Sequence, residues 1–325
     1  MYDVICMGSA SIDAFEKAQQ VLKLRKGNSP LMCFKLGSKL LTTHMEIQTG
    51  GGGTNSAVSL RRLGLKTAYL GKLADDLFAQ EIIKDLKKEK VSIIKNKPSQ
   101  HGTGLSVILE GYNEDRTILV YKGSNNYLSK VDAKLNQLKT KWFYCSSLMD
   151  ESFKTLEYVL KYAKKKNIKV MFNPSEYLAV KGKNYLKNIL KCTTILVLND
   201  DEASLLVGRN KLDHMAKELC KLGPKIIVIT LGKNGAYCYD GIHNYHLDAF
   251  HAKVLDPTGA GDSFASAFLA GYIKKNDIKF AMKLGMANSA SCIEYYGAKP
   301  GLLSYNKALQ RINKNKNVKF RKWLT

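Results

Sequence analysis

Short apolar runs bounded by polar turns alternate along this chain with longer stretches in which apolar residues recur every three or four positions. The runs Val4–Met7, Thr67–Leu70, Trp142–Cys145, Ile168–Phe172, Ile195–Leu198 and Ile226–Thr230 are nearly continuous in apolar residues, as strands covered on both faces are. The longer stretches predict helices over Ser56–Leu63, Phe78–Lys88, Phe153–Lys165, Asp200–Val207, Leu212–Leu222, Asp262–Lys274 and Ile278–Glu294. Buried strands alternating with helices predict an α/β fold, a three-layer αβα sandwich around a mainly parallel central sheet.

Two segments break that rhythm. Residues 31–48 are strand-like with no helical pattern between, and Gly104–Leu109 with Arg116–Lys122 reads as a hairpin turning at Asn113-Glu-Asp115. They predict a small β-sheet lid, formed by about residues 14–48 and 100–124, inserted in a single domain spanning 1–325. Insertions beside a ligand crevice often gate it. No fixed-period repeat and no Ser/Gly/Pro-rich linker divides the chain.

Composition narrows the function classes. A 45% hydrophobic share over 325 residues supports a sizeable core. No apolar run approaches the length of a bilayer span. The opening Met1-Tyr-Asp-Val-Ile-Cys reads as a strand rather than as a secretory leader. Seven scattered cysteines without C-x-x-C spacing are expected to be reduced thiols of a cytoplasmic protein, not a disulfide frame or zinc site. His243 and His246, expected at one edge of a hairpin, make no metal site by themselves. The net charge of +23 comes from lysines spread through runs such as Lys164-Lys-Lys166, without interleaved aromatic platforms. These read as solvated faces. They imply neither a specific nucleic-acid partner nor a membrane, and their field attracts nucleotide phosphates.

The chemistry concentrates in Asp256-Pro-Thr-Gly-Ala-Gly-Asp262, a tight turn running into the helical stretch Asp262–Tyr272. Glycines permit close backbone approach, and the unpaired amides at a helix start form an anion site. Phosphoryl transfer needs that arrangement, because charge on the transferred group must be held while a hydroxyl attacks in line. Asp262 stands beside those amides as an acceptor for the hydroxyl proton, and their field is expected to lower its pKa. No G-x-x-x-x-G-K-[ST] occurs, which excludes a P-loop kinase.

The Asp256–Asp262 run resembles the second signature of the ribokinase-like, or PfkB, carbohydrate kinase family at every specified position. Gly50-Gly-Gly-Gly-Thr-Asn55-Ser-Ala resembles the first signature, and the order of strands and helices extends the resemblance over essentially the whole chain. The resemblance implies an ATP-dependent kinase acting on a hydroxyl, with Asp262 as general base and Gly259, Ala260 and Gly261 as the anion hole. It implies acceptor binding by Asp13, Gly50, Gly51 and Asn55. Gly52 stands where ribokinases often carry lysine, a departure from a ribose site. Asn199-Asp-Asp-Glu202 resembles the family's N-x-x-E motif, which orders magnesium through water, so Glu202 is implied at the metal. Thr230, Gly232 and Gly235 resemble the nucleotide strand and turn, and Asn288 matches a position beside adenine. Asp256 and Thr258 match positions that hold a monovalent cation, potassium, in several members. Arg116 and Asn125 are placed to reach substrate or phosphate. ATP and Mg2+ are thus the implied cofactors, a sugar such as ribose or fructose the implied acceptor, and a homodimer through the lid the implied assembly. A nucleoside acceptor, with Phe15, Phe34, Met45 or Tyr121 walling the base, stays open, as does a non-catalytic nucleotide- or nucleic-acid-binding protein on this fold.

Overall fold

The computed structural model describes residues 1–18, 22–26, 29–110 and 116–324. Its spine is a ten-stranded sheet in the spatial order Phe320–Leu324, His243–Leu247, Ala236–Tyr239, Ile226–Thr230, Ile195–Asn199, Lys169–Phe172, Thr140–Cys145, Tyr2–Met7, Thr67–Leu70 and Ser92–Ile93. Pairing is parallel from Ser92–Ile93 through Ile226–Thr230 and antiparallel over the last three strands. Alternate strand residues feed two separate cores, which is what period-two side chains on a doubly covered sheet require. Val4, Cys6, Tyr144 and Val228 pack with helices Gly52–Arg62, Ala260–Lys275 and Ile278–Cys292. Ile5, Met7, Phe143 and Ile229 pack with Asp150–Lys165, Gly182–Leu190, Asp200–Val207 and Leu212–Lys221 on the other side. The expected three-layer αβα architecture is present. No helix among the described residues is long and apolar enough to cross a membrane.

A separate four-stranded sheet has the order Thr42–Gly50, Ser11–Ala18, Gly104–Glu110 and Arg116–Tyr121, with a two-stranded ribbon, Leu22–Lys26 and Ser29–Cys33, beside it in sequence. The expected hairpin pairs as read, Leu105 opposite Tyr121 and Glu110 opposite Arg116; its turn at Asn113–Asp115 lies outside the described residues. The small sheet begins at Ser11 and includes Gly50, slightly beyond the expected 14–48. His243–Leu247 is an inner strand rather than a hairpin edge, since Phe320–Leu324 covers its free side. His243 and His246, three apart, face opposite sides of it.

The two helices that matter most for the site begin earlier than periodicity predicts, at Gly52 and Ala260. Small residues let the first of them enter. A Cβ on Gly53 would lie 2.7 Å from the carbonyl carbon of Gly8, and one on Gly8 would lie 2.9 Å from Gly53 Cα. The strand end and the helix start therefore touch backbone to backbone. Gly53→Ala is expected to destabilise the fold by about 1–3 kcal/mol, as overpacking of a closed contact does. A denaturant titration checks this, and an unchanged midpoint would show that the contact yields.

Candidate active site

The carboxyl ends of the parallel strands converge on one crevice, where ligands bind in open α/β sheets. Gly8 follows Tyr2–Met7, Ser146 follows Thr140–Cys145, Asn173 follows Lys169–Phe172, and Asn199 and Thr230 end their own strands. The starts of helices Gly52–Arg62 and Ala260–Lys275 close in from one side. Between them lies a cleft of about 420 Å3, lined among others by Arg116, Asn173, Ser175, Asn199, Glu202, Thr230 and Gly259–Asp262.

Gly259 precedes the helix in the left-handed region, φ 77°. A Cβ there would also meet Ala298 Cβ at 2.4 Å, so glycine is required on two counts. No side chain caps this helix, and the space beyond Gly261 is open. The Ala260 amide donates to the Pro257 carbonyl at 3.2 Å, while the amides of Gly261 and Asp262 have no backbone acceptor among the described residues; with the positive dipole end they suit an anion in the cleft.

Asp262 lies in the first turn, one side open to the cleft. Asn55, from the other glycine-opened helix, donates its Nδ2 to Asp262 Oδ2 at 3.1 Å. Burial raises the Asp262 pKa; the Asn55 hydrogen bond pulls it down and the nearby Asp13 charge adds to the rise. The amides were expected to lower this pKa. Desolvation outweighs them, and the result is a stronger base than the sequence suggests.

Asn55 meets Asp262 because the two helices are pinned to each other one turn further in. Ser266 Oγ donates to Ser59 Oγ at 2.7 Å, and Asn288 Nδ2 donates to Ser59 Oγ and to the Ser263 carbonyl, both at 3.0 Å. Asn288 Oδ1 accepts from the Leu303 amide, and the residue has no exposed surface. Asn288 was expected beside adenine. Its amide is instead consumed by packing, which leaves it nothing to offer a nucleotide.

Of the residues implied for the acceptor, Asp13 and Gly50 lie in the small sheet. Asp13 is buried; Ser11 Oγ donates to its Oδ1 at 2.9 Å, and burial raises its pKa against the Ser11 and Ser106 hydrogen bonds. Its Oδ2 lies where a Cβ on Gly50 would be, 1.9 Å away, so Gly50 makes room for the carboxylate. Gly51 turns the chain at φ 97° into the helix. At Gly52 a side chain would start 3.0 Å from Ser146 Oγ and 3.3 Å from Asp262 Oδ1. Its absence leaves a space within reach of both.

Of the residues implied for the nucleotide and metal, Asn199 and Glu202 form a capping box. Asn199 N donates to Glu202 Oε2 at 2.9 Å, and Glu202 N donates to Asn199 Oδ1 at 2.7 Å. Both line the cleft, as does Thr230; Gly232 and Gly235 sit in the following turn and do not line it. Asp256 is buried and committed. Its Oδ1 accepts from the Thr258 amide at 2.9 Å, from Thr258 Oγ1 at 2.6 Å and from Arg116 Nη1 at 2.6 Å, while Oδ2 accepts from the Gly297 amide. Arg116 thus ties the small sheet to the catalytic turn. Asn125, the other residue of that hairpin, spends its amide on Ala10, accepting from its N–H and donating to its carbonyl, both at 2.8 Å.

Asn173, Ser175 and Ser146 were not anticipated. Ser146 and Asn173 directly follow parallel strands and Ser175 opens the helix two residues after Asn173, and the rule that α/β sheets bind ligands at strand carboxyl ends would have found them.

Residues 1–304 match the profile of the pfkB family carbohydrate kinases. This chain belongs to that family. An uncharacterized sugar kinase of Archaeoglobus fulgidus is 31% identical over 252 residues, covering 75% of this chain and 98% of its own. The deoxyribokinase of Salmonella typhimurium is 27% identical over 319 residues, covering 94% and 98%. The crystal structure of Thermotoga maritima ribokinase superposes with a TM-score of 0.81 at 21% identity, covering 96% and 100%, so the fold is shared. Members of this family are phosphotransferases with a hydroxyl acceptor, and this pfkB-family chain is an ATP-dependent kinase of a sugar or nucleoside.

If Asp262 accepts the acceptor-hydroxyl proton it must be ionised to do so, and kcat/KM is then expected to fall as pH drops through its raised pKa. Removing the Asn55 donor raises that pKa further, and Asn55→Ala should move the acid limb to higher pH in a pH–rate profile. Asp262→Asn is expected to lose about 10²–10⁴ in kcat. Because the folded carboxyl titrates above its unfolded value, its ionised form costs the fold free energy at neutral pH. The same variant should therefore melt no lower than the parent; a drop of several degrees would contradict the burial argument.

Proposed function

We propose that this kinase phosphorylates a hydroxymethyl group of a small sugar, with Asp262 as the general base. The observation that carries the sugar reading is the chemistry of the acceptor pocket. Asn55 Oδ1 and Ser146 Oγ are buried oxygens without hydrogen-bond partners among the described residues; Asn55 is bonded to Asp262 through its Nδ2, and a Cβ on Gly52 would stand 3.0 Å from Ser146 Oγ and 3.3 Å from Asp262 Oδ1. Such atoms are costly to leave unpaired, and the hydroxyls of a polyol satisfy them. Three of the four side chains offered to a nucleoside base are placed poorly for one. Phe15 is only 2% exposed, and Met45 and Tyr121 lie on the face of the small sheet opposite Asp13.

In this reading Asp13 holds two acceptor hydroxyls and Asn55 fixes the orientation of Asp262. The attacking hydroxyl gives its proton to Asp262 as its oxygen bonds to the γ-phosphorus. The bond from that phosphorus to the ADP oxygen breaks, and the free amides at this helix start, that of Gly261 among them, stabilise the transferred charge. Asn199, Thr230 and Glu202 face the nucleotide phosphates. Glu202 and Asn199 suit a hydrated magnesium ion, which keeps its waters and contacts protein sparingly; when bound it neutralises phosphate charge. Asp256 and Thr258 do not fit a potassium ion as they stand, since their oxygens are filled and Arg116 already supplies a positive charge there. The small sheet, about 14–48 and 100–124, is read as the lid of one catalytic domain. Seven unpaired thiols suit a cytoplasmic setting.

The outer face of that sheet supports self-association. Ile47, Ala14, Val107 and Leu119 lie in register across its four strands, and Met45, Ile47, Leu119 and Tyr121 are each more than half exposed. A second copy turned by a two-fold axis covers this face with its own, which is the usual closed solution for an apolar patch.

An ADP-release screen over sugars, sugar acids and nucleosides tests the main reading; turnover confined to nucleosides would overturn it. Replacing potassium by tetramethylammonium at constant ionic strength should change the rate less than about twofold. Sedimentation is expected to show a dimer that Ile47→Lys with Leu119→Lys turns into monomer.

A further inference from the structure

Around the cleft, the cations are nearly all committed to carboxylates: Arg116 to Asp256 at 2.6 Å, Lys299 to Asp85 at 2.8 Å and Lys72 to Asp132 at 2.7 Å. Lys122 is different. Its Nζ sits 3.7 Å from the centroid of the Tyr177 ring, and among the described residues it makes no ion pair with a carboxylate.

The backbone of Lys122 is held in place relative to the acceptor pocket. It directly follows strand Arg116–Tyr121, and its carbonyl accepts from the Asn125 amide at 3.1 Å and from Asn125 Nδ2 at 3.0 Å. The same Asn125 side chain grips both polar groups of the Ala10 backbone, three residues before Asp13. In register, Val120 lies opposite Ser106 and Ser106 opposite Asp13, so the next residue on that face is Lys122. On its other side, Tyr177 belongs to the short helix Ser175–Ala179, whose first residue lines the cleft. The ammonium therefore stands between the acceptor carboxylate and the rim of the phosphate cleft.

Its electrostatic state is unbalanced. Burial pulls the Lys122 pKa below the usual lysine value, and Asp13 is the charged group that opposes this. Asp13 is the residue read as taking neutral hydroxyls. A tyrosine face stabilises a cation without neutralising it. A partly desolvated ammonium that makes no ion pair with the one charge opposing its burial is an incomplete site, and an arriving anion recovers the desolvation already spent.

Resting on the reading of this pocket as the sugar site, we propose that the acceptor is an anionic sugar derivative, a sugar acid or sugar phosphate, whose carboxylate or phosphate is held by Lys122 while its hydroxyls lie on Asp13. Specificity then comes from charge at one end of the acceptor and hydroxyl geometry at the other.

The test compares an aldose with its aldonate, 2-keto-aldonate and 1-phosphate, each a six-carbon compound, using the full chain and ATP. Wild-type kcat/KM should be at least about tenfold higher for one of the anionic forms than for the aldose, and the panel shows which anion is used. Lys122→Met should raise KM for that anion by about 10–100-fold with kcat within about threefold, leave the aldose within about threefold, and Lys122→Arg should restore most of the loss. Preference for the aldose, or an equal loss on all four acceptors in Lys122→Met, overturns the proposal. If none of the four is phosphorylated, these six-carbon acceptors are excluded, and the ADP-release screen decides the sugar reading of the pocket separately. Calorimetry without ATP then decides the anion site: tighter binding of an anionic form that Lys122→Met abolishes supports it, and equal binding of all four sinks it. Melting curves of Lys122→Met and Lys122→Arg should coincide, which separates lost recognition from lost folding.

Discussion

Everything at the catalytic centre depends on how two helix starts are held against each other. Helices Gly52–Arg62 and Ala260–Lys275 come from opposite ends of the sequence, and Asn55 reaches Asp262 only if they keep one spacing and one rotation. The buried cluster of Ser59, Ser266 and Asn288 sets both. Hydroxyl and amide groups in an enclosed contact must find partners in fixed directions, so this polar pin tolerates less sliding than an apolar seam does. The run of small residues Ala265, Ser266, Ala267 and Ala270, all buried, lets the helix sit close enough for those bonds to form.

The pin holds in place an arrangement the fold would not otherwise favour. Asp262 and Asp13 are two carboxylates within electrostatic reach of each other, both with pKa values raised chiefly by burial. Each is kept where its ionised form is poorly solvated, with Asn55 or Ser11 as partial compensation. The molecule thus stores at this point a readiness to bind hydroxyl protons. Stability given up locally in this way is a common feature of catalytic sites.

Much of this was legible in sequence, and the gaps have physical causes. Strands Thr67–Leu70 and Ile226–Thr230 have the predicted bounds because continuous apolar runs mark doubly covered strands. Of the antiparallel strands, Ala236–Tyr239 and Phe320–Leu324 went unanticipated, and His243–Leu247 was expected only as a hairpin edge. The last two, His-Asn-Tyr-His-Leu and Phe-Arg-Lys-Trp-Leu, carry too few apolar residues to stand out. Helix Tyr305–Lys314 buries only Ala308 and Ile312, too few for a clear period. The glycine-rich helix starts carry no periodicity at all, yet their composition pointed straight to the anion hole. The direction of the Asp262 pKa shift and the true place of Asn288 were beyond reach for one reason. Both depend on neighbours far away in sequence, and local pattern does not report enclosure.

The position of strand Tyr2–Met7 bears on how the chain is made. It lies in the middle of the large sheet, between Thr67–Leu70 and Thr140–Cys145. This strand therefore completes its pairing only after about 140 further residues have emerged, a delay of roughly 7–30 seconds at ordinary synthesis rates. During that interval an apolar strand waits with one edge open, a state in which a nascent chain depends on chaperones. Long-range closure of this kind also makes refolding of the finished chain slow relative to helical proteins of similar size.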